Sequence, residues 1–139
     1  MENEISNYWD EIDAFQTSLN NRNNDKVFRF YDGPPFPTGS PHYGNLLAGV
    51  IKDIVPRYWT MRGYYVERRF GWDVHGLPIE MEVQKNLNLE DPQQIDEYGI
   101  DKFNEACRTQ VQTNTENWER ITRKIGRWVD FENDYKTMD

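Results

Sequence analysis

Cysteine and histidine are scarce in this sequence, which has one cysteine, Cys107, and two histidines, His42 and His75. A single thiol cannot form a disulfide within the chain, and it excludes a zinc site built from several cysteines. The carboxylates near the two histidines do not stand at metal-ligand spacing, so we expect no metal held by protein side chains. Cys107 lies on an apolar helical stripe, which indicates a small buried residue rather than a nucleophile.

Positive charge and long apolar runs are also lacking. The net charge is -8, whereas a protein that binds nucleic acid by neutralising its phosphates is basic. Any RNA contact is therefore expected to be local or to lie elsewhere in a longer protein. No run approaches the roughly 18 apolar residues of a membrane helix, and the acidic start Met1–Glu4 does not resemble a signal peptide. We expect a cytoplasmic protein with no membrane partner.

The middle of the chain follows a strand–helix–strand pattern. Residues 27–31 and 64–70 are rich in β-branched and aromatic side chains and predict two strands. Apolar residues recur at helical spacing between Tyr43 and Gly63 and predict a helix, with a kink or an early end at Pro56. A strand, a loop, a helix and a second strand together form the first βαβ unit of a parallel sheet.

Helical patterns flank this unit on both sides. Apolar residues predict one helix over 5–19, which stops at the polar run 20–25. A short helix is expected to follow the loop 71–76, starting from Pro78. A C-terminal helix that breaks at Gly126 is predicted by the stripe Phe103, Ala106, Cys107, Val111, Trp118, Ile121 and Ile125. The predicted parts of the chain are an N-terminal helix (about 1–25), the βαβ unit (26–87) and a helical segment (88–139).

A loop rich in proline and glycine, Asp32–Pro41, joins the first predicted strand to the helix, and together with the helix start it forms the motif Asp32–Asn45. Ligands of open α/β sheets bind at this place, and the helix start offers free N–H groups and a positive dipole to an anion. Gly39 and Gly44 would allow a ligand to approach the backbone. His42 and Asn45 lie three residues apart, so they share a helix face and can both donate hydrogen bonds to a phosphate or a sugar. A rigid turn with a capped helix is the alternative interpretation.

A second loop, Gly71–Gly76, follows the second predicted strand and opens the motif Gly71–Glu80. If Asp73 stands at the end of that strand beside the first loop, its carboxylate can hold an ammonium group through a charge-assisted hydrogen bond. The alternative is an aspartate that caps the helix starting near Pro78. Neither loop matches the phosphate-loop pattern or the G-x-G-x-x-G fingerprint, so a nucleotide site here belongs to another class.

Both loops resemble signatures of the class I aminoacyl-tRNA synthetases. Residues 42–45, His-Tyr-Gly-Asn, resemble the His-Ile-Gly-His signature of that class. The preceding residues 33–41 are similar to the Gly-Pro-Pro-Phe form of its branched-chain group. Residues 71–80, Gly-Trp-Asp-Val-His-Gly-Leu-Pro-Ile-Glu, resemble the isoleucyl form, whereas the valyl and leucyl forms differ after Gly-Trp-Asp.

The resemblance covers nearly the whole chain. Residues 8–18 resemble the N-terminal helix of the isoleucyl group, 126–139 resemble its approach to an inserted editing domain, and 68–70 look more like its eukaryotic-type branch. The resemblance implies an α/β fold, the first half of a Rossmann-like parallel sheet from a class I synthetase catalytic domain. An N-terminal helix and a helical C-terminal segment would accompany this half sheet. The editing domain and the family's Lys-Met-Ser-Lys-Ser loop are expected outside the chain.

The resemblance also implies an activity and its substrates. An isoleucine–tRNA ligase uses ATP, bound with Mg²⁺, to convert isoleucine to the adenylate and then transfers it to tRNA(Ile). The chain alone is expected to be weak or inactive as a ligase, because the cations of the missing lysine loop would not reach the phosphates. Two alternatives stay open: an inactive truncated relative that binds nucleotide or a partner protein, and a piece of a valyl or leucyl enzyme.

Individual residue roles follow from the same resemblance. The implied ATP-binding residues are Gly33, Pro35, Gly39, His42, Gly44 and Asn45. Of these, His42 and Asn45 would be catalytic, by stabilising charge on the phosphates in the transition state. Pro34 would line the isoleucine pocket, Asp73 would bind the α-amino group, and His75 would support the Asp73 loop. Asn45 stands where the family signature has a second histidine, so this position keeps a neutral donor that cannot become charged.

Overall fold

The computed structural model describes residues 1–22 and 25–138, apart from the side chain of Thr113. Within these ranges the chain forms a mixed α/β fold of six helices and a two-stranded parallel sheet, which confirms the predicted class. In chain order the elements are α1 (Glu2–Glu11), α2 (Ala14–Asn20), α3 (Tyr43–Met61), β1 (Arg69–Trp72), α4 (Leu77–Leu87), α5 (Pro92–Tyr98), α6 (Ile100–Lys124) and β2 (Asp130–Lys136). Of the turn predicted over 20–25, positions 23–24 lie outside the described residues.

The N-terminal segment forms two helices, so the prediction of one helix over 5–19 is wrong in this respect. The break falls at Asp13, whose backbone adopts the left-handed conformation (φ 45°) between α1 and α2. Aspartate tolerates this conformation better than most residues because its short polar side chain can bond locally. The turn brings Trp9 and Phe15 to the ring of Trp128, with centroid separations of 5.4 and 6.3 Å. Both helices are thereby held against the segment that follows α6.

Helix α3 matches the predicted helix from Tyr43 and runs through Pro56. The early end predicted at Pro56 is therefore wrong. A proline in a helix removes a single backbone hydrogen bond, and the burial of Pro56 provides packing that offsets this loss. The helix ends before Gly63, as predicted. One face of α3 exposes a stripe of large apolar side chains, namely Leu47, Ile51, Ile54, Tyr58 and Met61.

The first predicted strand, 27–31, is wrong as a strand, because it contributes only a single parallel bridge between Val27 and Tyr65. Two backbone hydrogen bonds make this bridge, from Phe28 N to Tyr65 O (3.0 Å) and from Tyr65 N to Lys26 O (2.8 Å). Beyond it, a cavity of about 480 Å³ opens between this segment and the second predicted strand. A favourable pattern of side chains does not by itself supply the continuous pairing that a strand needs.

The second predicted strand, 64–70, is present but shifted toward the C-terminus as β1. It pairs in parallel with β2, with Arg69 opposite Asp130 and Gly71 opposite Tyr135, and the register is irregular between these pairs. The ring of Tyr135 covers Gly71 so closely that a Cβ atom at position 71 would lie 2.2 Å from its Cε1 atom. Only glycine fits this crossing without moving the tyrosine.

Strand β2 corrects the prediction of a helical segment over 88–139 for the residues after the break at Gly126. Its sequence, Asp-Phe-Glu-Asn-Asp-Tyr-Lys, is mostly charged or polar and buries only Phe131, as is common in edge strands. Asp130 shapes its start by accepting hydrogen bonds from the backbone N–H groups of Glu132 and Asn133. Burial alone would raise the pKa of Asp130, but these bonds and one from the Asn133 side chain lower it overall.

The core lies where α4 and α6 pack against the sheet. Its buried members are Phe70, Trp72, Val74, Ile79, Val83, Phe103, Val111, Trp118, Val129 and Phe131. The helix predicted from Pro78 is α4, with proline in its first turn, and the predicted break after the long helix falls at Gly126 (φ 75°). Cys107 packs half-buried against this core, and its burial, together with the charge of Glu80, raises the pKa of its thiol. The division of the chain into three parts remains a prediction.

A buried arginine, Arg68, precedes β1 and is 2% exposed. Its guanidinium donates one hydrogen bond to Thr60 Oγ1 and lies 5.4 Å from the centre of the Phe15 ring. Its Nε and Nη1 atoms have no hydrogen-bond partner. Burial lowers the pKa of Arg68 to about 10, although the nearby charge of Asp53 acts in the opposite direction.

No helix within 1–22 and 25–138 is long and apolar enough to cross a membrane.

Candidate functional site

The first loop is anchored at its start by a buried ion-pair cluster around Asp32. The Asp32 carboxylate is 1% exposed and pairs with Nζ of Lys52 on α3, at 2.6 Å, and with the guanidinium of Arg127 after α6. Lys52 also donates to the carbonyl of Gly33 at 2.7 Å. Charges in such a buried position are poorly screened by water, so their attraction is stronger than at the surface. The start of the loop, directly after residues 27–31, is therefore held in a fixed direction.

The far part of the same loop is tied to α6. Trp118 donates from Nε1 to the carbonyl of Gly39 at 2.9 Å, and Asn117 donates from Nδ2 to Ser40 Oγ at 3.1 Å. Gly39 adopts a left-handed backbone (φ 67°), and no atom lies within 4 Å of the position that a Cβ would take. The loop is thus held by α3 and α6 while open space remains beside Gly39.

His42 and Asn45 form a reciprocal cap at the start of α3. The ring Nδ1 of His42 accepts a hydrogen bond from Gly44 N at 3.1 Å, and His42 N donates to Asn45 Oδ1 at 3.0 Å. An imidazole nitrogen that accepts must be unprotonated, so the neutral ring carries its proton on Nε2. The Nε2–H of His42 and the Nδ2 amide of Asn45 are the donors that this cap leaves for a ligand, and both side chains reach the surface.

The cap bears on two expectations about the start of α3, namely its free N–H groups and the reason for glycine at position 44. The prediction of free N–H groups is wrong for Gly44 and Asn45, because Gly44 N–H binds the His42 ring and Asn45 N–H binds the His42 carbonyl at 2.9 Å. Glycine at position 44 also has an internal reason, since a Cβ there would lie 3.0 Å from the His42 ring. An anion at this place would thus be met mainly by side-chain donors and by the helix dipole.

The second loop meets the first through one backbone hydrogen bond. Asp73 N donates to the carbonyl of Pro35 at 2.9 Å. The Asp73 side chain is 30% exposed, so a ligand can reach it, and its Oδ1 accepts from Thr137 Oγ1 at 3.3 Å. Nδ1 of His75 lies 2.6 Å from the same hydroxyl. The alternative in which Asp73 caps α4 is wrong, because Gly76 occupies the cap position of that helix.

The described residues therefore bring the two loops together without joining their functional side chains directly. No hydrogen bond or ion pair links His42 or Asn45 to Asp73 in the described part of the chain. Pro34 and Pro35 of the first loop are half-buried, which suits a wall rather than a polar contact. No group of three or more His, Cys, Asp or Glu side chains within 1–22 and 25–138 is arranged to hold a metal ion.

Three residues that shape the site were not predicted from the sequence. Lys52 had a usable signal, because it is the single cation between Tyr43 and Pro56. Arg127 and Thr137 had none, since they lie 95 and 64 residues from their partners Asp32 and Asp73. Contacts across such separations are set by the fold and leave no local pattern.

Comparison with known proteins shows the family and the fold of the chain. Residues 4–139 match the family described as tRNA synthetases class I (I, L, M and V). The chain belongs to this family. A solved structure of a class I synthetase, the ternary complex of Agrobacterium radiobacter K84 agnB2 LeuRS with tRNA and LeuAMS, superimposes with a TM-score of 0.66 at 22% identity. That match covers 99% of this chain and 15% of the other, which confirms the class I synthetase fold.

Isoleucine–tRNA ligases are much more similar to this class I synthetase segment. The cytoplasmic ligase of Arabidopsis thaliana is 54% identical over 138 residues, that of Mycobacterium tuberculosis strain H37Rv is 54% identical over 139, and that of Chlamydia caviae is 55% identical over 138. These matches cover 99%, 100% and 99% of the chain. They cover only 12%, 13% and 13% of the relatives. The segment thus spans about an eighth of the length of these ligases.

Proposed function

We propose that this chain forms the part of an isoleucine–tRNA ligase that binds the ATP phosphates and the amino group of isoleucine. The hydrogen bond from Asp73 N to the Pro35 carbonyl carries the proposal, because it joins the loop that ends in His42 to the loop of Asp73. One loop offers donors to anions and the other offers a carboxylate to a cation. When an amino acid is about to react with ATP, the negative charge of the phosphates and the positive charge of the ammonium group lie close together.

On the nucleotide side, His42 and Asn45 would donate to the phosphates from Nε2 and Nδ2. Their cap fixes both side chains before a ligand arrives, so little reorganisation is needed when charge develops. The open space beside Gly39 would admit the ligand close to the backbone. Gly33, Pro35 and Gly44 complete the proposed ATP-binding set, and Mg²⁺ would enter with ATP as part of that substrate.

On the amino-acid side, the Asp73 carboxylate would hold the ammonium group by a charge-assisted hydrogen bond. Pro34, which is half-buried and precedes the Pro35 whose carbonyl accepts from Asp73 N, would line the side-chain pocket. His75 would support the Asp73 loop through the hydroxyl of Thr137. Partial exposure of Asp73 favours this role, because a carboxylate must be reachable and yet only partly hydrated to bind an amine well.

In the proposed reaction, a carboxylate oxygen of isoleucine attacks the α-phosphorus of ATP. The bond from that phosphorus to the bridging oxygen of the β-phosphate breaks, and pyrophosphate leaves with the electron pair. The resulting adenylate is then transferred to the 3′ end of tRNA(Ile). His42 and Asn45 would lower the barrier to the extent that they bind the developing charge more strongly than the ground state. Two neutral donors meet little of this charge, so the chain alone is expected to show weak or no exchange.

Isoleucine-dependent exchange between ATP and pyrophosphate tests the proposal. We would place residues 1–139 in a full-length relative, such as the Mycobacterium tuberculosis ligase, in exchange for its 54% identical segment. Isoleucine should support exchange better than valine or leucine. Asp73→Asn should raise the KM for isoleucine by roughly 10- to 100-fold, and His42→Ala should mainly lower kcat. Equal or better exchange with leucine or valine would contradict the isoleucine assignment.

The other candidate is a catalytically inactive relative that binds nucleotide or a partner protein. The exposed apolar stripe on α3, from Leu47 to Met61, favours this candidate, because large apolar patches commonly mark interaction sites. Exchange activity in the substituted ligase that depends on His42 would decide against it. A cytoplasmic location stays a prediction, although the Arabidopsis thaliana relative is named as the cytoplasmic ligase.

A further inference from the structure

The hydroxyl of Thr137 occupies a central position in the second loop. It lies 3.0 Å from Val74 N, 2.6 Å from His75 Nδ1 and 3.3 Å from Asp73 Oδ1, so it contacts three consecutive residues. The backbone of the same threonine is fixed as well, since Thr137 N donates to the Trp72 carbonyl at 3.0 Å. The hydroxyl is therefore held at the end of β2, directly against the loop that carries Asp73.

The number of protons in this cluster determines the direction of each hydrogen bond. A hydroxyl has one proton to donate and two lone pairs that accept. Val74 N–H can only donate, and an ionised Asp73 carboxylate can only accept. If Thr137 donates to Asp73, then His75 must donate from Nδ1 to Thr137, and all three contacts are satisfied. If Thr137 donates to His75 instead, two oxygen lone pairs face each other at 3.3 Å between Thr137 and Asp73.

We infer that Thr137 is a positioning residue for the amino-acid site, which holds the Asp73 carboxylate in place by passing the hydrogen bond of His75 on to it. This inference rests on the proposed role of Asp73 in binding the substrate amine. One carboxylate oxygen is turned toward Thr137, so the other is left to meet the ammonium group. His75 then acts three hydrogen bonds away from the substrate ammonium, through Thr137 and Asp73, and fixes the direction of these hydrogen bonds.

The arrangement gives the two histidines opposite tautomers. His42 accepts at Nδ1 and carries its proton on Nε2, whereas His75 donates from Nδ1. Because these are the only histidines in the sequence, long-range ¹H–¹⁵N NMR spectra of the chain at a pH where both rings are neutral resolve each one. We expect one ring of each tautomer in the wild-type chain.

Two substitutions at one position separate the hydroxyl from the shape of the side chain. Thr137→Val keeps the branched shape but cannot accept from His75 or donate to Asp73, and Thr137→Ser keeps the hydroxyl. In the spectra, Thr137→Val should shift His75 away from the pure Nδ1–H pattern and leave His42 unchanged. In the substituted full-length ligase, it should raise the KM for isoleucine by roughly 10-fold, the lower end expected for a bond to a charged acceptor. The KM for ATP should change less than about 2-fold, and Thr137→Ser should restore both readouts.

The outcomes separate this inference from the proposed function. An Nε2–H tautomer for His75 in the wild-type chain, or a tautomer unaffected by Thr137→Val, would overturn the hydrogen-bond chain without reference to any substrate. An unchanged KM for isoleucine in Thr137→Val, while Asp73→Asn raises it, would overturn the positioning role alone. If Asp73→Asn itself leaves the KM unchanged, the proposed function fails, whatever the spectra show.

Discussion

Replacing Asp32 by asparagine would test whether the buried ion pairs hold the first loop. The amide has nearly the same size but no charge, so Arg127, which is 6% exposed, would be left buried beside a neutral group. Removal of one partner from a buried pair destabilises a protein by about 3–5 kcal/mol. Lys52 is 28% exposed and can regain water, so we expect a loss near the lower value, about 3 kcal/mol. For a chain of this size, that loss lowers the Tm by roughly 6–12 °C.

The measurement is urea unfolding of the 139-residue chain, followed by the fluorescence of its five tryptophans. The matched control is Glu119→Gln, which removes a carboxylate from the surface pair with Arg123 (2.7 Å), where about 0.5 kcal/mol or less is expected. In the double variant Asp32→Asn with Arg127→Met, part of the lost stability should return, because no buried cation is left unpaired. A cost for Asp32→Asn no larger than that of the control would refute the reasoning.

Three further predictions concern the surroundings of the site. The folded state lowers the pKa of Asp130, so this carboxylate stabilises the protein at pH values above its unfolded pKa, near 3.8. The stabilisation is lost as the pH falls through the lower folded value. Urea midpoints between pH 5 and 2 should therefore fall less steeply for Asp130→Asn than for the wild type. Gly71→Ala should cost about 1–3 kcal/mol in urea unfolding, because the ring of Tyr135 must move aside, and the same change should cost much less when Tyr135 is already alanine. Arg68→Met should be neutral or stabilise the chain by about 1 kcal/mol in thermal unfolding, since it removes a buried guanidinium with two unpartnered nitrogens. A loss of stability above about 2 kcal/mol would show that these two nitrogens have hydrogen-bond partners in solution.

Sequence patterns predicted the elements whose stability is mainly local. Helices α3 and α6 carry long apolar stripes, and a helix satisfies its backbone within itself, so the period alone locates them. The segment 27–31 has an equally suitable strand pattern, but a strand depends on a partner, and only Val27 finds one. Strand β2 shows the reverse case, since its polar sequence forms a strand because β1 lies beside it.

The candidate site divides in the same way. His42, Asn45 and Asp73 were predicted because they stand in short motifs after predicted strands, where an α/β fold places its ligands. Their supporting residues Arg127 and Thr137 come from the other end of the chain. What the sequence could not reveal was the tautomer of each histidine, because it depends on hydrogen bonds that only the fold creates.

The tie between Asp32 and Arg127 also has a consequence for the order of events during synthesis. Ninety-five positions separate the two residues, and a ribosome adding roughly 5–20 residues per second takes about 5 to 20 seconds to cover that distance. During this interval the Asp32 carboxylate is hydrated, and Gly39 still lacks its hydrogen bond from Trp118, 79 residues further on. The loop is therefore made well before it can take its shape. In a growing chain the loop would therefore reach this shape only once α6 and the residues just after it have left the ribosome.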